Sequence, residues 1–194
     1  MRSEKGFTLI ELLVAIAIAS VVMAGIYSAY YSQQRSYVVQ EQVAEIQQNL
    51  RAAMYFMAKE IRMAGCNPTG AAEAKIKTGG EHTIRFTMDL TSKKVPPGPD
   101  GKIDSTLDED ITYALVGTEL HRNGTLLAEN IDALDLVYLD GAGGVITITD
   151  PTDDLQLMAI RSVQITLVAM ADKNDRSRSL TTHIKCRNLG LLQE

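Results

Sequence analysis

The chain has 194 residues, 45% of them apolar, which is enough for one domain with its own core and short for two. Its formal charge of −5 sets no broad positive field around it, so any contact with nucleic acid has to be local. There is no Trp, no internal repeat and no long tract rich in Pro and Gly, and nothing marks half of the chain as disordered.

Apolar residues are concentrated at the start. From Phe7 to Ile26 the clearly polar side chains are Thr8, Glu11 and Ser20. Twenty helical residues span roughly 30 Å, the hydrocarbon thickness of a bilayer. Arg2 and Lys5 precede the run, so the positive-inside rule places the short N-terminus in the cytoplasm and the rest of the chain outside it. A secretory signal peptide with Ala17-Ile18-Ala19 as its cleavage site fits this pattern, and so does a plain single-pass anchor. Neither accounts for Glu11, because a carboxylate inside an apolar span is costly and is usually functional.

The ten residues Lys5-Gly6-Phe7-Thr8-Leu9-Ile10-Glu11-Leu12-Leu13-Val14 resemble the class III signal of type IV pilins and type II secretion pseudopilins. The resemblance implies that a prepilin peptidase cuts between Gly6 and Phe7, that the new amine of Phe7 is methylated, and that the apolar helix is kept. It also implies a role for Glu11 in assembly, where its carboxylate meets the terminal amine of a neighbouring subunit and removes two uncompensated charges from a low-dielectric layer. Pairing within one helix, between residues four apart, is the simpler alternative.

Beyond Ile26 the helical pattern continues. Val39, Val43, Ile46, Leu50, Met54, Met57 and Ile61 recur at spacings of three and four, with Gln40, Glu41, Glu45, Gln47, Gln48, Arg51 and Lys59 off the stripe. Gly65 and Asn67-Pro68 supply the stop, which predicts a helix from Phe7 to about Ala64. The stripe is covered by a globular part of the same chain or by a partner helix, as in a coiled-coil stem. Many major pilins have a proline about twenty residues into the mature helix; this chain has Ser28 there, so a kink is not implied. Tyr27, Tyr30, Tyr31 and Tyr37 read as an interfacial aromatic belt in preference to a stacked electron path.

After residue 68 the periodicity changes to short, β-branched segments: 83–88, 111–116, 119–122, 126–128, 134–139, 145–149, 161–170 and 180–186. Asn123-Gly124 is a two-residue hairpin turn, and 141–144 is a second turn. The expected fold class is α+β, a long N-terminal helix packed against a mainly antiparallel sheet. Glu60 to Pro68, Glu109 to Leu115 and Asn130 to Leu134 resemble the PilW-type minor pilins and J-type pseudopilins, which implies a low-copy filament component that primes assembly or sits at a tip.

Cys66 and Cys186, on the oxidising side of the membrane, form a candidate disulfide closing a loop of about 120 residues; two separate thiols are the alternative. Asp100-Gly101-Lys102-Ile103-Asp104, followed by Asp108, Glu109 and Asp110, copies part of an EF-hand loop and is a weak calcium candidate. Pro96, Gly98 and Leu107 fall where ligands belong, which favours a solvated acidic loop. His82, His121 and His183 lack metal-ligand spacing, and no nucleophile elbow, P-loop or dinucleotide fingerprint occurs. Lys173, Arg176 and Arg178 mark a small basic loop, a hairpin tip before a DNA contact.

The expected organisation is a leader (1–6), a membrane or filament-core half-helix (7–31), an amphipathic half-helix (32–64) and a periplasmic β-rich head (65–194). The expected role is a minor pilin in the inner membrane and then in a filament, with prepilin peptidase, other pilin subunits and membrane lipid as partners. It needs no cofactor and no catalytic residue. A secretion pseudopilin and a filament-displayed module for adhesion or DNA uptake are the alternatives.

Overall fold

The computed structural model describes residues 6–91, 97–171 and 176–190, in two compact units that meet in sequence between Ala44 and Glu45. One helix, α1 (Leu9–Ile61), contributes to both.

Among the described residues of the first unit, α1 is the one regular element. It passes Gly25 and Ser28 without a break. The Oγ atoms of Ser20 and Ser36 donate to the carbonyls of Ile16 and Ser32, at 2.8 and 3.1 Å, so these hydroxyls are satisfied inside the helix. Every described residue from Gly6 to Val38 is exposed, including Ile10, Leu13, Ile16, Val21 and Ile26. An apolar surface of that extent marks a membrane or protein contact.

In the second unit the end of α1 carries one apolar face. Leu50, Ala53, Met54, Met57 and Ile61 are buried, with Ile46 partly so, and all join a core built from the strands that follow. From Ile46 to Ile61 the stripe is therefore covered by the chain's own sheets. Strands β1 (Ile76–Gly79), β2 (Thr83–Thr87), β3 (Asp110–Val116), β4 (Glu119–Arg122) and β5 (Thr125–Ala128) form an antiparallel sheet in that order. Strands β6 (Ile131–Leu139), β7 (Val145–Ile146), β8 (Ser162–Ala171) and β9 (Arg176–Lys185) form a second antiparallel sheet, ordered β7-β6-β8-β9.

Alternation along β8 puts Val163, Ile165, Leu167 and Ala169 inside, and Leu134, Leu136 and Tyr138 of β6 do the same. Asn123 and Gly124 take φ of 50° and 76°, the primed turn that a right-twisted hairpin requires, and join β4 to β5. The head is thus two sheets where one was expected. Asn130, at φ 60°, turns the chain between β5 and β6, and β6 then pairs with β7 and β8 only.

α1 stops at Ile61, earlier than the predicted Ala64, because the next bonds tighten: Met63 N–H donates to Glu60 O and Ala64 N–H to Ile61 O. Gly65 ends this turn at φ +77° and donates to Thr87 O at 3.0 Å. The positive φ favours glycine, and a Cβ there would lie 2.5 Å from Leu189 Cδ2 and displace that side chain.

Candidate functional site

The start of α1 is a reciprocal cap. Thr8 N–H donates to Glu11 Oε2 at 2.9 Å, the Thr8 hydroxyl donates to the same oxygen at 2.7 Å, and Glu11 N–H reaches back to Thr8 Oγ1 at 3.4 Å. Thr8 and Glu11 are the N-cap and third helical positions of a Thr-x-x-Glu capping box, which satisfies two of the backbone donors that a helix start leaves open. The Thr-x-x-Glu spacing is itself a sequence signal for this cap. Both donors are neutral and use Oε2, which leaves Oε1 with acceptor capacity for a cationic partner. Gly6 and Phe7 lie just outside the helix and are exposed.

In the head, Glu60 on the last turn of α1 binds two strands. It accepts from the buried Tyr113 hydroxyl at 2.5 Å and from Arg122 Nε and Nη2 at 3.0 and 2.9 Å, while Arg122 Nη1 donates to Asp108 at 3.0 Å. Burial and the Glu60 carboxylate push the Tyr113 phenol far above its ordinary range, so it stays a proton donor. The group ties the helix end to β3 and β4.

The described carboxylates of the acidic loop are each engaged within the chain. Asp100 accepts from Lys102 N–H, Asp104 caps a short 3₁₀ turn (Ser105–Leu107) through Thr106 N–H, Asp108 pairs with Arg122, and Asp110 pairs with Arg85 at 2.7 Å and Lys77 at 3.8 Å. The Arg85 guanidinium holds the Asp110 carboxyl below the usual range. Glu109 is fully buried and accepts three backbone N–H groups, from Leu90, Thr91 and Asp104, at 2.8–2.9 Å. Among the described residues no group of three such side chains is placed to hold a metal ion. Pro96, an assumed ligand position, lies outside the described residues. The glycine of the apparent motif has another reason: Gly101 takes φ +80°, and a Cβ on it would meet Ala71 Cβ at 2.8 Å.

Asp89, also fully buried, locks this turn by accepting from Asp100 N–H, Gly101 N–H and the Thr69 hydroxyl. It went unnoticed in the sequence because its partners are backbone groups. Replacing Glu109 with Ala strands three backbone donors. At about 1–3 kcal/mol for each buried one, less where water can reach it, the loss is expected to total about 3 kcal/mol. Glu109→Gln, which keeps an acceptor, is expected to lose less; urea unfolding followed by circular dichroism measures both.

Two regions of the chain match known families. Residues 1–27 match the prokaryotic N-terminal methylation motif, and residues 39–186 match prepilin peptidase-dependent protein B. The chain belongs to the prepilin peptidase-dependent protein B family. No curated protein is significantly similar to it. Membership makes the chain a pilin-like component of a pilus or pseudopilus, processed by prepilin peptidase. The family consists of structural proteins, not enzymes. The long apolar helix and the methylation motif fit a pilin-like protein anchored in the inner membrane.

In the structure Cys66 and Cys186 are free thiols, the alternative to the candidate bridge. Cys186 is buried among apolar side chains, which pushes its thiol up to about 12, whereas Cys66 is half-buried and raised by burial and by Asp89. Alkylation of the folded protein is expected to label Cys66 alone, and unfolding to expose Cys186; equal labelling of both in the folded state would contradict the burial.

Each of the histidines has different surroundings. His82 Nδ1 contacts Leu134 O at 2.7 Å, His121 Nε2 contacts Glu119 at 2.9 Å, and His183 is exposed on β9. Of the basic loop, Lys173 lies outside the described residues, while Ala171 and Arg176 are opposed as the last pair of the β8–β9 ladder and Arg178 is exposed. Tyr27, Tyr30, Tyr31 and Tyr37 are all exposed on α1.

Proposed function

We propose that the chain is a minor pilin, held by its apolar helix in the inner membrane with its head in the periplasm and then drawn into a filament through helix-to-helix packing. The observation that carries this reading is the uncovered apolar surface from Phe7 to Ile26, interrupted by a single carboxylate, Glu11. A plain anchor could use that carboxylate as a helix cap, but a charge inside an apolar span is costly and is usually functional. Cleavage after Gly6 creates an ammonium on Phe7, and Glu11 has an oxygen to receive it from the neighbouring subunit once its cap is made. The head, with its own core and no exposed catalytic constellation among the described residues, supports a structural part over a displayed enzyme.

The test is the N-terminus of the chain in purified filaments. Mass spectrometry should find it beginning at methylated Phe7 in fibres that also contain a more abundant pilin-type subunit. A mature chain beginning at Met1, or beyond the apolar segment, overturns the proposal.

A further inference from the structure

β9 ends at Lys185, and the five residues after it, 186–190, lie against the turn that closes α1. Cys186 is the root of this segment: its side chain is buried in the core and its N–H donates to Arg161 O at 2.9 Å. Beyond it the hold weakens. Arg187 and Gly190 are exposed, and Asn188 and Leu189 are half-buried. Asn188 Nδ2 reaches Met63 O at 3.5 Å, the outer limit of a hydrogen bond. Leu189 packs on Gly65, and Gly190 lies against the Arg161 guanidinium, whose Nη1 donates to the carbonyls of Met158 and Ile160 at 2.6 and 2.9 Å.

The same segment is one wall of a cavity of about 230 Å³, between the residues leading into β1 and the short helix α2 (Asp154–Met158). Ala72, Ala74, Ile76 and Leu157 line it with Leu189. A side chain that faces a void has no atoms to touch on that side and forfeits their dispersion energy. Leu189 therefore holds its segment less firmly than Leu134 or Leu167, both fully enclosed, hold their strands. β8 and β9, by contrast, are paired along their whole length.

We propose that residues 186–190 form a strap that opens as a local unit while both sheets stay folded. Closed, it ties the turn at the end of α1 to the start of β8. Open, it carries Cys186 and Leu189 into solvent, uncovers the apolar cavity and leaves the end of α1 to its own buried stripe and to Glu60. Opening of this kind is governed by the few contacts of the segment and not by the stability of the whole domain.

Cys186 reports the opening, because its buried thiol reacts when the strap is out. The full-length chain in detergent is exposed to a thiol reagent at a series of urea concentrations; mass spectrometry follows modification of the Cys186 peptide, and circular dichroism follows global unfolding. Below the unfolding transition Cys186 is expected to react slowly, at a rate nearly independent of urea, since a five-residue opening exposes little surface. Leu189→Ala should raise that rate about tenfold and move the unfolding midpoint little. Gly190→Ala, strained at φ +95° and crowded by Arg161, is a second variant with an acceleration expected. Ile165→Val, in the middle of β8, should do the reverse, lowering the midpoint and leaving the native rate unchanged. If Cys186 reacts only along the global transition, with its full urea dependence, the strap is overturned. It is overturned equally if Leu189→Ala and Gly190→Ala leave the native rate unchanged, or change rate and midpoint in proportion. Each of these outcomes leaves the filament reading untouched.

Discussion

A chain carrying Gly6→Leu is expected to accumulate in the membrane with all six leader residues attached, and mass spectrometry should find no mature form beginning at Phe7. The fold gives no reason for glycine at this position. A Cβ built on Gly6 meets nothing within 4 Å, its φ lies outside the left-handed range, and the helix begins only at Leu9. Substitution therefore leaves the capping box, the apolar helix and the head as they are, and insertion into the membrane should be unchanged. The requirement comes from a second molecule. A peptidase has to bring its catalytic groups against the carbonyl that precedes the scissile bond, and a residue without a side chain allows the closest backbone approach. The effect should be all-or-none in processing and absent from stability, a combination that loss of folding does not produce. Appearance of the mature mass in the Gly6→Leu chain would place the cut elsewhere.

The elements that the sequence revealed are those with a strong local signal. The 3.6-residue stripe ending at Ile61, the alternation of β6 and β8, and the Asn123-Gly124 turn each follow from side-chain spacing or a single backbone requirement. β1 stayed hidden because it has four residues, one large apolar side chain and a register shift between Ile76 and Thr78. α2 is too short for a period and is held by its cap, where Asp153 accepts from Leu155 N–H.

Two long-range features were illegible for a different reason. Glu60 with Arg122, 62 positions apart, reads as two surface charges until the helix end is laid on β4. The Glu109 carboxylate reads as part of an acidic loop and the Asp89 carboxylate carries no signal in the sequence, yet both are buried and bonded to backbone N–H groups, which no residue pattern records. The carboxylates that look along the chain like a weak calcium candidate each accept from a donor of the chain itself.

Glu11 carries two jobs, and two substitutions separate them. Glu11→Gln preserves the capping box, since an amide oxygen accepts from Thr8 as well as a carboxylate does, and removes the negative charge. Glu11→Ala removes both. The cap alone is worth about 1 kcal/mol of helix start, and its loss at the edge of a long apolar helix should shift membrane insertion little in either variant. Filament content should behave otherwise. The ammonium of an incoming Phe7 enters an apolar layer, and leaving it there without a counter-charge costs several kcal/mol, more than the cap by a wide margin. Both variants are therefore expected to be cleaved and inserted normally and to fall at least about tenfold in purified filaments, which corresponds to roughly 1.4 kcal/mol or more at equilibrium. The informative result is the equality of the two. If Glu11→Gln enters filaments at the parental level and only Glu11→Ala fails, the carboxylate acts as a helix cap and its charge has no part in assembly.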